Sequence, residues 1–484
     1  MSFDTNPEFY TDDDNYSPWY QSYNSSFNYE LLFVASVSPF MQIYSRLART
    51  NNEWKKIISF DDKVSAVNGN NNNLYFISLN NSRNGKLMMM DMNNPDIQNA
   101  TLIVAEKDIS LESGWGTLPQ SKNFLILEYN KNGVKSFTDV LDMRTNTVSK
   151  VPFQETTNIL KVIPFNKGND DVQIGRTGWT SPMNYTYNNL DAPFEKEKLF
   201  SFQQNVSYPN INDVTVEEIE IPSHDGVMVP VSLIYKKGLN LDGKNMAYVN
   251  GYGSYGYSIT ANFSTKFLVL ANKGIVIAVA HVRGGGEKGE NWHLAGQKQT
   301  KCNTWKDLNA CAEYLIEKGF TSPKQLVCES ASAGGILIGR AITERPDLWA
   351  CAIPRVGFLT TIRDWVTPTG PINTPEFGTV RDVNEFFGLL EMDALLHVVD
   401  GTEYPAMLIT TGWNDPRVIS WQPAKFAAAV QKSNKSSKPI LLYVDYTSGH
   451  FNSDDKFARY MQLAKSYAFA MEQCGYQSNP ALQN

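Results

Sequence analysis

Histidine and cysteine are the residue types this sequence has little of: 484 residues carry five of each. The cysteines are Cys302, Cys311, Cys328, Cys351 and Cys474. Their number is odd and none is spaced C-x-x-C, so neither a disulfide framework nor a thiolate zinc site is indicated. Long apolar runs are missing as well. The stretch 275–280 falls far short of the about 20 residues that span a bilayer. The opening stretch, MSFDTNPEFYTDDDN, is acidic and polar and lacks the basic start and apolar core of a secretory signal. Strong charge of one sign is absent too: a formal net charge of −7 argues against a nucleic-acid surface. These absences lead to the expectation of a soluble protein of a reducing cytoplasm, with no membrane and no nucleic-acid partner.

What is there is enough for large cores. Hydrophobic residues make up 42% of the chain and aromatics 12%, and the length suggests two or more domains. The chain changes character near residue 210. Before it, short alternating segments recur at 31–36, 73–78, 87–92, 123–128 and 158–164, most of them bounded by Asn, Gly, Asp or Pro. That pattern reads as strands in antiparallel hairpins, a propeller or a sandwich. With about 40–50 residues per blade, residues 30–205 hold about three to four blades. Residues 1–29 read as a polar extension.

From residue 206 to 484 strands and helices alternate. Strands are expected at 214–221, 229–235, 246–250, 275–281, 325–329, 406–411 and 439–445, and helices at 304–318, 334–343, 421–431 and 454–474. Such alternation predicts an α/β domain on a doubly wound, mostly parallel sheet.

The stretch CESASAGGILIG, 328–339, places a serine between a strand and a helix in a turn of small residues. That is the layout of a nucleophile elbow, in which the serine sits on a tight, strained turn. The elbow usually reads G-x-S-x-G; here Ser330 occupies the first glycine position. Ser332 is the better nucleophile because it puts Gly334 two residues on and the helix just beyond. The Ala333 N–H and the helix N-terminus then help to hold an oxyanion. Ser330 is tolerable there if its φ is negative. The plain alternative is a glycine-rich turn before a core helix.

A serine nucleophile needs a base, and five histidines make the choice short. His224 lies in a turn, His281 follows a strand, His293 sits in a glycine-rich loop and His397 in an apolar helical segment, where packing explains it. His450, in TSGHFNSDD, follows the last strand and precedes the last helix, where the base of an α/β-hydrolase belongs. Asp415, in TTGWNDPRV, follows the strand 406–411 and supplies the acid. The order Ser332, Asp415, His450 is that of α/β-hydrolases.

At this point the chain resembles the prolyl oligopeptidase family of serine peptidases, especially its oligopeptidase B branch. The resemblance rests on YKKGLNLDGKNMAYVNGYGSYGYSI (235–259), the RGGGE segment and following helix (280–323), SASAGGILIGRAITERPDLW (330–349), TTGWNDPRVISWQPAKF (410–426) and SGHFNSDDKFARY (448–460). It implies an α/β-hydrolase domain preceded by an all-β, truncated β-propeller-like domain. It also implies Ser332 as nucleophile, Asp415 as acid and His450 as base. Tyr252 would join the Ala333 N–H in the oxyanion hole, Arg417 would bind a substrate carbonyl, and Glu376 would line a pocket for a basic P1 side chain. Where the family usually has a second acid two residues on, this chain has Gly378. No tryptophan matches the one that stacks on a proline ring, and the family's seven blades exceed what residues 30–205 can hold. The expectation is a serine oligopeptidase acting on short peptides after Arg or Lys, without metal or organic cofactor, as a monomer or weak homo-oligomer. A prolyl-specific peptidase, an inactive peptide-binding relative and a small-ester hydrolase are the alternatives.

Overall fold

The computed structural model describes residues 17–22, 27–35, 39–112, 116–151, 159–192, 198–199, 207–451 and 455–477. The chain divides into two compact units. The first comprises 1–207 with the short segments 260–263 and 286–291; the second comprises 208–259, 264–285 and 292–484.

Among the described residues, the first unit is built from four successive sheets. Strands Tyr29–Ala35, Met41–Leu47 and Lys55–Ile58 form the first, with Ser17–Ser22 on its edge. The second runs through Val64–Asn70, Asn73–Ser78, Lys86–Asp91 and Thr101–Val104. The third holds Phe124–Lys131, Lys135–Asp142 and Thr147–Lys150, and the fourth Ile159–Pro164, Asp171–Gly178 and Ser181–Asn189. Neighbours within these runs pair antiparallel. Asparagine makes the corners: Asn71, Asn81, Asn132 and Asn146 all adopt left-handed backbone, which this side chain tolerates better than most. At these four corners asparagine serves as turn chemistry. One expectation needs correction. Within the segment read as a polar extension, Ser17–Ser22 is a strand, with Trp19 opposite Phe33. SPWYQS carries two adjacent aromatics suited to a pleated surface, and an open edge beside Tyr29–Ala35 takes its backbone groups.

Among the described residues, the second unit holds a single eight-stranded sheet with helices packed on it. In chain order it contains β1 (Val214–Pro222), β2 (Met228–Lys236), β3 (Ala247–Asn250), α1 (Thr265–Asn272), β4 (Val276–Ala280), α2 (Cys302–Glu317), β5 (Leu326–Ala331), α3 (Gly334–Glu344), β6 (Cys351–Arg355), α4 (Val383–Met392), β7 (Ala406–Gly412), α5 (Trp421–Ser433), β8 (Ile440–Asp445) and α6 (Lys456–Gln473). The sheet order is β1-β2-β4-β3-β5-β6-β7-β8. The first pairings are antiparallel and those from β4 through β8 parallel. The central strands are apolar on both faces because helices cover both; every residue of β4 is buried. Trp305 and Leu308 of α2 and Ile336 and Leu337 of α3 are buried against this sheet. Loops at the carboxyl ends of β3, β5, β7 and β8 therefore lie along one edge of a rigid, well-packed layer. In open sheets of this kind that edge is where ligands bind.

Candidate active site

Three of these carboxyl-end loops converge. Ser332 follows β5 directly and has a φ of 57°, left-handed backbone that a non-glycine residue adopts only under constraint. The constraint is visible. The Ser332 N–H donates to Arg355 O at 3.0 Å, while Ser332 O accepts the N–H groups of Gly335 and Phe358, both at 2.8 Å. The side chain is thereby aimed out of the turn.

Ser330 is a strand residue, paired with Pro354 in the β5–β6 ladder and outside the left-handed region. Its hydroxyl points away from Ser332 and donates to Gly251 O at 2.6 Å. A Cβ on Gly334 would meet that hydroxyl at 1.9 Å, so glycine at 334 is what makes room for serine at 330.

His450 and Asp415 arrive on loops after β8 and β7. Asp445 closes the β8 loop by accepting from the Thr447 and Ser448 N–H groups at 2.9 and 3.1 Å. The two loops are stitched together: Trp413 N–H donates to Asp445 O and Asn414 N–H to Ser448 O. They come so close at Gly412 that a Cβ there would lie 2.1 Å from Gly449 O. As a result His450 Nδ1 sits 2.8 Å from Asp415 Oδ2, and His450 Nε2 sits 2.8 Å from Ser332 Oγ. The other oxygen of Asp415 accepts the Arg417 and Val418 N–H groups at 2.9 and 3.0 Å, which fixes the carboxylate plane. Asp415 and His450 are both buried, whereas Ser332 is partly exposed. A hydroxyl, an imidazole and a carboxylate in this chain can move a proton off the hydroxyl and stabilise the imidazolium that forms.

Two groups flank Ser332. Ala333 is buried and caps the N-terminus of α3, where the first N–H groups of a helix have no partner within it. Tyr252, on the loop after β3, lies close enough to Ser332 for the two side chains to influence each other. Burial, reinforced by the negative charge of Glu376, pushes the Tyr252 phenol above its usual range, so it is a neutral donor. Arg417 is exposed and close enough for its charge to act on Tyr252.

Glu376, on the short helix Thr374–Phe377, is 2% exposed and does not offer a free carboxylate. Its Oε1 accepts the Tyr255 N–H at 2.7 Å. Its Oε2 meets His293 Nε2 at 2.7 Å and Gln297 Nε2 at 3.3 Å. Burial alone would raise its pKa; His293, Lys301 and the Tyr255 N–H more than offset this and hold it below the ordinary value. His293, Gln297 and Lys301 are neighbours that the sequence did not single out. Lys301 stands near Lys298 in the polar stretch GQKQTKCN and looks like surface charge, yet it is 1% exposed. Of the remaining histidines, buried His281 meets Ser232 Oγ at 3.0 Å and His397 Nδ1 meets Asp393 O at 2.8 Å. Among the described residues no cluster of three His, Cys, Asp or Glu is placed to hold a metal, and no helix is long and apolar enough to cross a membrane.

Comparison with known proteins bears on the family and the fold. Residues 261–477 match the model of the prolyl oligopeptidase family, and residues 11–208 match that of the prolyl oligopeptidase N-terminal β-propeller domain. A prolyl endopeptidase of Elizabethkingia meningoseptica is 27% identical over 458 residues, 93% of this chain and 63% of that protein. Protease 2 of Moraxella lacunata is 32% identical over 271 residues, 55% of this chain and 39% of that protein. Among solved structures, one from a study of two prolyl endopeptidases superposes with a TM-score of 0.88 at 26% identity, covering 96% of this chain and 67% of that one. Oligopeptidase B from Trypanosoma brucei with covalently bound antipain gives 0.86 at 25% identity, covering 96% and 67%. The chain thus spans 39% of the length of one of these curated relatives and 63% of the other. With a propeller domain followed by an α/β-hydrolase domain bearing these motifs, the chain belongs to the prolyl oligopeptidase family.

Proposed function

We propose that this protein is a serine peptidase that hydrolyses short peptides through an acyl-enzyme. Ser332 Oγ attacks the scissile carbonyl while His450 Nε2 takes its proton. Asp415 holds the imidazole in the required tautomer. The Tyr252 hydroxyl and the Ala333 N–H receive the oxyanion, and His450 returns the proton to the leaving amine. Water then attacks the ester by the reverse route. Arg417, exposed beside Tyr252, binds a substrate carbonyl. No step calls on a metal or an organic cofactor. The observation that carries the reading is the unbroken chain from Ser332 Oγ through His450 to Asp415, two hydrogen bonds of 2.8 Å, on a serine with left-handed backbone.

A finer reading, cleavage after Arg or Lys, rests on Glu376 as the P1 partner. The carboxylate weighs against it, because a guanidinium would have to displace His293 and Gln297 from Oε2. The rings of Tyr255, Phe377 and Phe358 run edge to face at 5.4 Å spacings. The Phe358 N–H is bonded to Ser332 O, but Phe358 and Phe377 are themselves buried, so these rings brace the turn that carries Ser332. A fluorophosphonate probe should label wild-type protein and leave Ser332→Ala unlabelled, with turnover falling at least about 1,000-fold. Labelling that survives in Ser332→Ala but vanishes in Ser330→Ala would mean the nucleophile is the other serine. Arginine-ended peptides, proline-ended peptides and simple esters assayed on one preparation separate the P1 readings. Turnover of esters alone would refute the peptidase assignment.

A further inference from the structure

The turn 251–255, which carries Tyr252, is held by buried polar side chains from separate parts of the second unit. At its start, Ser330 Oγ donates to Gly251 O at 2.6 Å. In the middle, Lys301 Nζ donates to Gly253 O and, at 2.8 Å, to Ser254 Oγ. At its end, Glu376 Oε1 accepts the Tyr255 N–H at 2.7 Å, and Asn373 Oδ1 accepts the Tyr255 hydroxyl at 3.0 Å. His293 and Gln297 hold Glu376 in turn. Tyr255 has a φ of 61°, a conformation that lasts only where the surroundings over-determine it.

Burying a lysine, a glutamate and a histidine is a costly way to hold a turn, and apolar packing would often serve stability as well. Directional bonds provide something apolar packing does not: they fix the backbone on both sides of Tyr252, and so the place of its hydroxyl. An oxyanion donor stabilises a transition state only when it is already in position.

We propose that Glu376, Lys301 and Ser330 are positioning residues that act on catalysis through Tyr252, and that Glu376 is not a P1 acid. This rests on the reading of Ser332 as nucleophile. Glu376→Ala should lower kcat about 10-fold or more, and Ser330→Ala about 3-fold. The factor should be the same on arginine-ended and proline-ended peptides, with KM little changed. Glu376→Gln, which keeps an acceptor for the Tyr255 N–H, should recover part of the loss. In a Tyr252→Phe background both substitutions should lose most of their effect, because the group they position is gone.

A loss confined to arginine-ended substrates, carried by KM, would restore Glu376 as a P1 acid and overturn the proposal. Losses that multiply with Tyr252→Phe would also overturn it. Hydrogen exchange of the peptide covering 250–257 gives a readout independent of activity. Exchange should quicken there in Glu376→Ala and in Ser330→Ala, and unchanged exchange in both would refute the frame. If wild-type protein takes no fluorophosphonate label, the peptidase reading falls while the exchange measurement still judges the frame.

Discussion

Glu112, in the first unit, and Glu376, in the second, are carboxylates drawn away from bulk water in opposite surroundings. Glu112 follows the short strand Ser110–Leu111, its N–H donating to Glu128 O at 2.7 Å. Its charged neighbours are mostly acids. Burial first, then the charges of Glu287 and Glu128, push its pKa up to about 7 despite help from Asn130 and Lys161. Glu376 is buried as well, but it faces His293, Lys301 and a backbone N–H, and its pKa falls below the ordinary value. The difference follows from where each lies. The first carboxylate belongs to a meander of hairpins joined by the distant segment 286–291, and there Glu112, Glu128 and Glu287 act on one another without a cation between them to offset the repulsion fully. The second lies where residues from 253 to 376 meet, and each of its oxygens has a donor.

The contrast can be broken most severely at Lys301. Its burial lowers its own pKa to about 8, so the ammonium persists near neutral pH beside Glu376. Lys301→Met keeps the stem and removes the cation, leaving Gly253 O and Ser254 Oγ without their donor. Uncoupling a buried charged group in this way costs about 3 kcal/mol. Denaturant unfolding near pH 7 should show the midpoint falling accordingly. A variant as stable as wild type would mean that Lys301 is dispensable to the fold and that the second unit handles buried charge no differently from the first.

A smaller effect is expected at Glu376. Glu376→Gln should destabilise by about 1–3 kcal/mol near pH 7. A carboxylate with a lowered native pKa contributes stability that is present above its unfolded pKa and is lost as pH falls. The deficit of the variant should therefore shrink toward acid pH. A deficit constant with pH would mean that the amide fails for steric reasons and that the cationic surroundings are not what sets Glu376 apart.

The same contrast explains what the sequence disclosed. Ser332, Asp415 and His450, which the structure brings together, could be picked out because each sits on a stereotyped turn after a strand, and a turn is a local object. Strand 73–78 was legible to the residue because apolar NLYFIS is bounded by asparagine. β6 escaped notice: Pro354 lies within it, and proline argues against a central strand because it cannot donate to the ladder. α1 and α4 were missed among loops. The frame around Tyr252 was not legible either. Lys301, Glu376 and Ser330 are separated by tens of residues, and nothing in QKQTK, TPEFG or CESAS tells that one turn receives all three. Ser330 is the instructive case. As a departure from a glycine pattern it looked like a tolerated blemish, and only the position of Gly251 gives its hydroxyl a partner.

The smallest effect should come from Glu112, with the opposite sign. A carboxyl whose native pKa is raised is held neutral at a cost that is absent below its unfolded pKa, near 4.5, and grows as pH rises through about 7. Glu112→Gln removes that cost. Because Glu112 is only half-buried, water screens part of the repulsion, and a gain of about 1 kcal/mol at pH 8 is expected, fading to nothing near pH 4.5. Unfolding midpoints of wild type and Glu112→Gln measured from pH 4.5 to 8 should therefore diverge upward with pH, whereas the deficit of Glu376→Gln should stay level over that range and close only as pH falls below about 4.5. If both pairs diverged in one direction, the two carboxylates would share an environment after all, and the contrast between Glu112 among acids and Glu376 among donors would be lost.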